Sequence, residues 1–196
     1  MTGLRILAEA RWPDAGRAGQ DRLPPVPGFA ASTFNPLVAE VAERCLRAHH
    51  GTAPAPGRTA LLLASAGGDR ATARAIDEAA ASGRRVPPLL FFQSNPNAVL
   101  GHIAARWGLT GPVVAISPAE ARPGSVPQDA LDHAALLLAD GDADHVLVIA
   151  AEAADAADAS DGAGAAGAAE QADTSGAADA TGAGTDRAVA VLVTSA

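Results

Sequence analysis

The sequence has no lysine and no tyrosine, one cysteine, one methionine, and no apolar run long enough to span a bilayer. Each absence excludes something. With Cys45 alone there is no internal disulfide and no cysteine-ligated zinc site. A membrane helix needs about 18 consecutive apolar residues, and none is found. The segment from Met1 to Pro13 carries Arg5, Glu9 and Arg11 and has no apolar core of the kind that marks a secretory signal, so a soluble cytoplasmic protein is expected. The 14 cations are all arginines, scattered along a chain of net charge −8. Nucleic acid and anionic membranes require clustered cations that release counterions, so neither is expected as a partner.

What is present is enough for a sizeable core. The chain has 196 residues, of which 48% are hydrophobic. This length and apolar content fit a single domain over residues 1–196. The pattern from Leu4 to Trp12 mixes apolar and charged positions near period two and predicts an opening strand. A Pro/Gly-rich connection follows. Asn35-Pro36 then reads as a cap and first helical turn, leading a helix whose apolar side carries Leu37, Val38, Val41, Cys45, Leu46 and Ala48. Ala60 to Ala64 is a short apolar run that predicts a strand buried on both faces. Gly67-Gly68-Asp69 follows, with Asp69 placed to cap a helix reaching about Ala81. Pro87-Pro88 leads into Leu89 to Phe92, read as a short strand. The proline-started helix after it carries Leu100, Ile103, Ala104 and Trp107 at helical spacing and stops at Gly108, with Val113 to Ser117 as the next buried strand. Gly101 lies inside that helix, where close backbone packing is the expected compensation. Three prolines make residues 117–127 a loop. A helix from about Gln128 to Asp140 and strands from His145 to Ala150 and from Ala188 to Val193 complete the order. Between them, 153–186 contains no bulky apolar residue and is read as a flexible acidic insertion before the last strand. This alternation predicts a layered α/β fold with a largely parallel sheet of about five strands and helices on both faces.

Few residues carry obvious chemistry. Cys45 falls on an apolar helical stripe and reads as a small buried hydrophobe. His49 and His50 are adjacent, have no third ligand nearby in sequence, and suit a helix carboxyl end; no metal site is expected. The Gly67-Gly68 turn lacks the G-x-G-x-x-G pattern and the P-loop lysine, and Asp69 would repel an anion, so a tight turn is the preferred reading. Asp140, Asp142 and Asp144 alternate but lack the glycine and distal glutamate of a calcium loop. Ser94, Ser117 and Ser125 read as cap or turn residues.

One block is more specific. Pro96-Asn97-Ala98-Val99-Leu100-Gly101-His102-Ile103-Ala104-Ala105-Arg106-Trp107-Gly108-Leu109-Thr110-Gly111-Pro112 resembles the segment leading to the active-site strand of beta-ketoacyl synthases in the thiolase superfamily, which reads P-N-x-x-x-G-x-I-A-x-x-x-G-x-x-G-P. Pro96, Asn97, Gly101, Gly108, Gly111 and Pro112 are its structural motif. The turn and strand from Asp140 to Val148 and the strand Ala188 to Val193 are similar to later parts of the same N-terminal half. The resemblance implies a thiolase-like half-fold, in the manner of short ketosynthase-like proteins. It also implies a departure. Aligned without gaps from Gly111-Pro112, the family's nucleophilic cysteine falls on Glu120, and Pro118 replaces a threonine. A carboxylate exchanging with a thioester would give a reactive anhydride, a poor acyl store. The family's histidines and lysine belong to its C-terminal half, and this sequence has no lysine.

The resemblance therefore implies a non-catalytic ketosynthase-like auxiliary subunit in polyketide or fatty-acid biosynthesis. Its expected partners are an active ketosynthase, a chain-length-factor-like subunit or an acyl carrier protein, in a hetero- or homo-oligomer. No cofactor is expected. The alternative is a small acyl-carrier-dependent enzyme, a malonyl decarboxylase or thioesterase, with Glu120 as base and His102 or His133 assisting.

Overall fold

Strand β2, Thr59–Ala64, is buried at every position and is the axis of the fold. The computed structural model describes residues 3–14, 22–29, 32–122, 124–154 and 186–196; the acidic insertion lies almost entirely outside them. Around β2 the order is β1 (Leu4–Trp12), α1 (Phe34–His50), β2, α2 (Arg70–Ala81), α3 (Pro88–Gln93), α4 (Pro96–Trp107), β3 (Val113–Ile116), α5 (Gln128–Ala139), β4 (His145–Glu152) and β5 (Arg187–Ser195). The five strands form one sheet in the order β1-β5-β4-β2-β3. β2 pairs parallel with both β4 and β3, while β5 pairs antiparallel with β4 and β1. The sheet is mixed, and parallel pairing is confined to the strands joined by helical crossovers. That division follows from connectivity, since parallel neighbours need a crossover and β4 and β5 have no helix between them among the described residues.

Alternation along the central strands builds two cores. Leu61, Leu63, Leu147, Ile149, Ala190 and Leu192 face α1 and α4. Ala60, Leu62, Val146, Val148, Val189, Val191 and Val193 face the opposite way, onto Ala130 and Ala134 of α5. Helices thus cover both faces. On α1 the residues Leu37, Val38, Val41, Cys45 and Leu46 are fully buried, whereas Ala48 at the carboxyl end is exposed. Burying each such leucine or valine contributes roughly 1.5–3 kcal/mol, so this stripe holds α1 against the sheet.

Four local expectations need correction. The helix starts at Phe34 with Thr33 at its cap position, and Asn35 is buried within the first turn; it is not the cap. Its amide instead donates to Ser32 Oγ at 3.0 Å, Asp69 Oδ2 at 2.9 Å and the Gln93 carbonyl at 3.3 Å, tying the starts of α1 and α2 to the end of α3. Residues 89–92 belong to helix α3 and form no strand. Both sides of β2 are already paired, and Pro88 at the first helical turn presets the helical φ. β3 is an edge strand exposed at alternate positions, with Val113 40% exposed, because it pairs only with β2. Gly101 meets no neighbour: a methyl group there would enter open space. It lies on the outer side of α4, away from the buried Val99, Leu100, Ile103 and Trp107.

The close approach expected at Gly101 occurs at Gly111. A Cβ there would stand 2.6 Å from Thr59 C, Thr59 O and Ala60 N. Gly111 N donates to Thr59 O at 3.1 Å, and Leu61 N donates to Pro112 O at 2.9 Å. Gly111-Pro112 is therefore the step that seats β3 on β2. The helix leading to it is framed as its sequence predicts. Asn95 Oδ1 accepts from Asn97 N at 2.9 Å, Pro96 opens the first turn, and Gly108 ends α4 in the left-handed region at φ 65°.

Candidate functional site

In open parallel sheets, ligands bind beyond the carboxyl ends of the strands. Here that edge is formed by Ser65 and Gly67-Gly68 after β2, Ser117 and its loop after β3, and Glu152 at the end of β4. A cavity of about 190 Å³ opens there between Phe34, Leu63, Ser65, Pro96, Ile116 and Ser117.

The glycine turn does not offer its amides to a ligand. Glu152 already fills it, accepting from Ala66 N at 2.6 Å and from Gly67 N at 3.0 Å. Gly68 N donates to Ser65 Oγ at 2.9 Å. Asp69 caps α2 as expected, accepting from Thr72 N at 3.1 Å and Thr72 Oγ1 at 2.7 Å. These contacts turn the donors of the β2 end inward, so the turn works as a structural joint. Glu152 could not be found from sequence, because only the β2/β4 register brings it beside Gly67.

The position aligned with the family's nucleophile has a different setting. β3 ends at Ile116 and α5 starts at Gln128, so Glu120 lies in the intervening loop and not at a helix amino end. Glu120 is exposed and has no hydrogen bond or ion pair among the described residues. The loop is anchored elsewhere: Arg11 Nη1 donates to Gly124 O at 2.7 Å, Ala119 N to Asp129 Oδ2 at 3.3 Å, and Ser125 Oγ to Arg122 O at 3.0 Å. Ser94 Oγ donates to Phe91 O at 2.8 Å, a turn contact like that of Ser125. His133 is occupied on its own helix, with Nδ1 2.7 Å from Asp129 O. His102 packs edge-on to Phe29 at 6.3 Å and lines a groove between α1, α4 and the proline-rich segment 24–27. Neither histidine is hydrogen-bonded to Glu120.

That groove, of about 380 Å³, contains a charged cluster that sequence reading missed. Glu43 on α1 accepts from Trp107 Nε1 at 2.7 Å and from Arg106 Nε at 2.9 Å, and it pairs with Arg47 one turn away. Burial alone would raise its pKa, but the hydrogen bonds from Arg106, Arg47 and Trp107 outweigh that and hold it at about 2. Cys45 is buried as expected, and desolvation pushes its thiol up to about 12. Among the described residues no group of three or more His, Cys, Asp or Glu side chains is arranged to hold a metal ion, and no helix is long and apolar enough to cross a membrane.

The mixed five-stranded sheet covered by helices on both faces is a thiolase-like layered α/β fold. Residues 30–193 match the family described as beta-ketoacyl synthase, N-terminal domain, and the chain belongs to that family. No curated protein sequence matches it significantly. Among solved structures it is similar to a ketosynthase in complex with its chain length factor from Xenorhabdus doucetiae, with TM-score 0.66 and 18% identity over 100% of this chain and 80% of that one. It is also similar to the ishigamide ketosynthase/chain length factor, with TM-score 0.69 and 17% identity over 100% of this chain and 63% of that one. A beta-ketoacyl synthase from Burkholderia phymatum gives TM-score 0.63 and 18% identity over 100% of this chain and 60% of that one. The chain thus spans less than two thirds of two of these three structures.

Proposed function

We propose that this chain is a non-catalytic, ketosynthase-like auxiliary subunit that acts in polyketide or fatty-acid assembly by pairing with an active ketosynthase. The observation that carries this reading is the setting of Glu120. A ketosynthase nucleophile needs a strand-to-helix elbow whose dipole and amides lower its pKa and hold an oxyanion. Here an exposed loop stands in that place, and the amides of the neighbouring glycine turn are taken by Glu152. The alternative enzyme, with Glu120 as base, requires a partner within hydrogen-bond reach, and neither His102 nor His133 provides one.

A surface for pairing is available. Leu89, Phe91 and Phe92 on α3 are 59%, 70% and 70% exposed, α3 packs on α4, and α4 packs on the exposed edge strand β3. An exposed apolar helix face suits a protein partner. Two of the structural relatives carry a chain length factor in their descriptions, which supports a partner of ketosynthase type. An acyl carrier protein is a second candidate partner in the same assembly, and the cytoplasm is its natural setting.

The test is size-exclusion and pull-down of the purified chain with a ketosynthase and an acyl carrier protein from the same source. Co-elution with the ketosynthase, abolished by Phe91→Glu/Phe92→Glu, is the expected result. A stably monomeric chain that binds neither protein overturns the reading. Malonyl-carrier turnover by the wild type that disappears in Glu120→Ala would establish the enzymatic alternative instead.

A further inference from the structure

All three buried side-chain atoms that lack a hydrogen-bond partner among the described residues concern one end of the molecule: His50 Nε2, His145 Nδ1 and Thr59 Oγ1. Thr59 and His145 are register partners at the amino ends of β2 and β4. They share the side of the sheet occupied by Leu61 and Leu147, against which α1 packs. The carboxyl end of α1 brings His49 and His50 there. The three imidazoles form a closed triangle, with ring centroids 4.6 Å apart for His49 and His50, 6.1 Å for His49 and His145, and 6.4 Å for His50 and His145. Trp107, at the end of α4, stands 6.5 Å from His50.

We propose that His50 and His145, packed against the ring of His49, form a proton-sensitive latch, which holds the carboxyl end of α1 on the amino end of β4 while these two rings are neutral and loosens it on mild acidification. Cationic rings at these separations would repel one another, and the buried His50 Nε2 and His145 Nδ1 have no acceptor for the N–H that protonation creates. The groups facing the cluster do little to offset this. β1 contributes Arg5, another cation acting on His145. The turn before β4 contributes Asp144, the one counter-charge acting on it among the described residues, and its carboxylate already accepts from Arg58 N at 2.8 Å. The uncharged groups are Trp107 from α4, Thr59 from β2 and Thr194 from β5, whose hydroxyl donates to Asp144 O at 3.1 Å.

The direction is set by the pKa values. Burial first, then repulsion from His49 and His145, lowers that of His50; burial first, then His49, with Arg5 adding and Asp144 opposing, lowers that of His145. The unfolded chain therefore takes up protons before the folded one. The stability is fully present above the ordinary histidine value of about 6.5 and is lost as pH falls through it toward the depressed folded values.

The experiment is a ¹H–¹³C NMR titration of the five histidine rings in the wild-type chain, with thermal midpoints measured from pH 8 to 5 for wild type, His145→Gln and, as an exposed control, His133→Gln. The expected result is that His50 and His145 titrate below the ordinary value. In His145→Gln the fall of the midpoint between pH 7 and 5 shrinks to about half, while His133→Gln follows wild type. Rings of His50 and His145 that titrate at or above the ordinary value, or a His145→Gln profile parallel to wild type, overturn the proposal. If His145→Gln does not fold, the wild-type ring titrations decide alone.

Discussion

Gly101 and Gly111 belong to the same sequence motif and respond oppositely to an added methyl group. At Gly111 the new Cβ would lie 2.6 Å from three backbone atoms of β2, which cannot swing aside as a side chain can. Gly111→Ala is expected to cost roughly 1–3 kcal/mol, toward the upper end, because the β2/β3 pairing itself must shift. At Gly101 the methyl enters open space on a helix, and Gly101→Ala is expected to stabilise by roughly 0.5–1 kcal/mol. Urea unfolding of the two variants beside wild type checks both signs at once. A similar contrast holds between the two kinds of candidate residue. Glu120 is exposed and engages no described partner, while Asp69 is buried and serves the cap of α2 and the amide of Asn35 together. Asp69→Ala is therefore expected to exceed the about 1 kcal/mol of an ordinary cap loss, whereas Glu120→Ala leaves the unfolding midpoint unchanged.

At the scale of elements, the joint between α1 and α4 is electrostatic as well as apolar. Glu43 binds Arg106 and Trp107 across the two helices, and its pKa of about 2 lies below the unfolded value of 4.5. A depressed carboxylate contributes stability that is present above the unfolded pKa and disappears as pH falls through the folded one. Urea midpoints of wild type are thus expected to drop between about pH 4.5 and 2, and Glu43→Gln is expected to start lower and change less over that window. The loss of stability from the histidine cluster begins as pH falls through the ordinary histidine value of about 6.5, above the window of Glu43, so the onsets of the two effects separate along one titration. Helix α3 illustrates how elements escape local reading. Leu89 to Phe92 are four consecutive apolar residues, a run too short to have a period. The sheet had no edge for them beside β2, and Pro88 favoured a turn of helix, which left both phenylalanines in solvent.

At the scale of the whole molecule, the exposed face of α3 is where a partner is expected, and Phe91→Glu/Phe92→Glu should abolish pairing without lowering the thermal midpoint, because neither ring is part of a core. Both measurements on one sample distinguish a lost interface from a lost fold. The amino-acid sequence by itself determined most of the frame. Alternation and runs of apolar residues located all five strands, capping and helical spacing located four of the five helices, and the block from Pro96 to Pro112 carried the family resemblance that the match over residues 30–193 established. These features are local: periods of two and 3.6, a proline at a helix start and a left-handed glycine at its end depend on neighbours within a turn or two. What only the tertiary structure decided involves residues far apart in the chain. The filling of the glycine turn by Glu152, the meeting of His145 with His49 and His50, the joint at Glu43 and the close packing at Gly111 all arise from strand register and helix docking. Register fixes which distant side chains share a face, and no local pattern encodes that pairing.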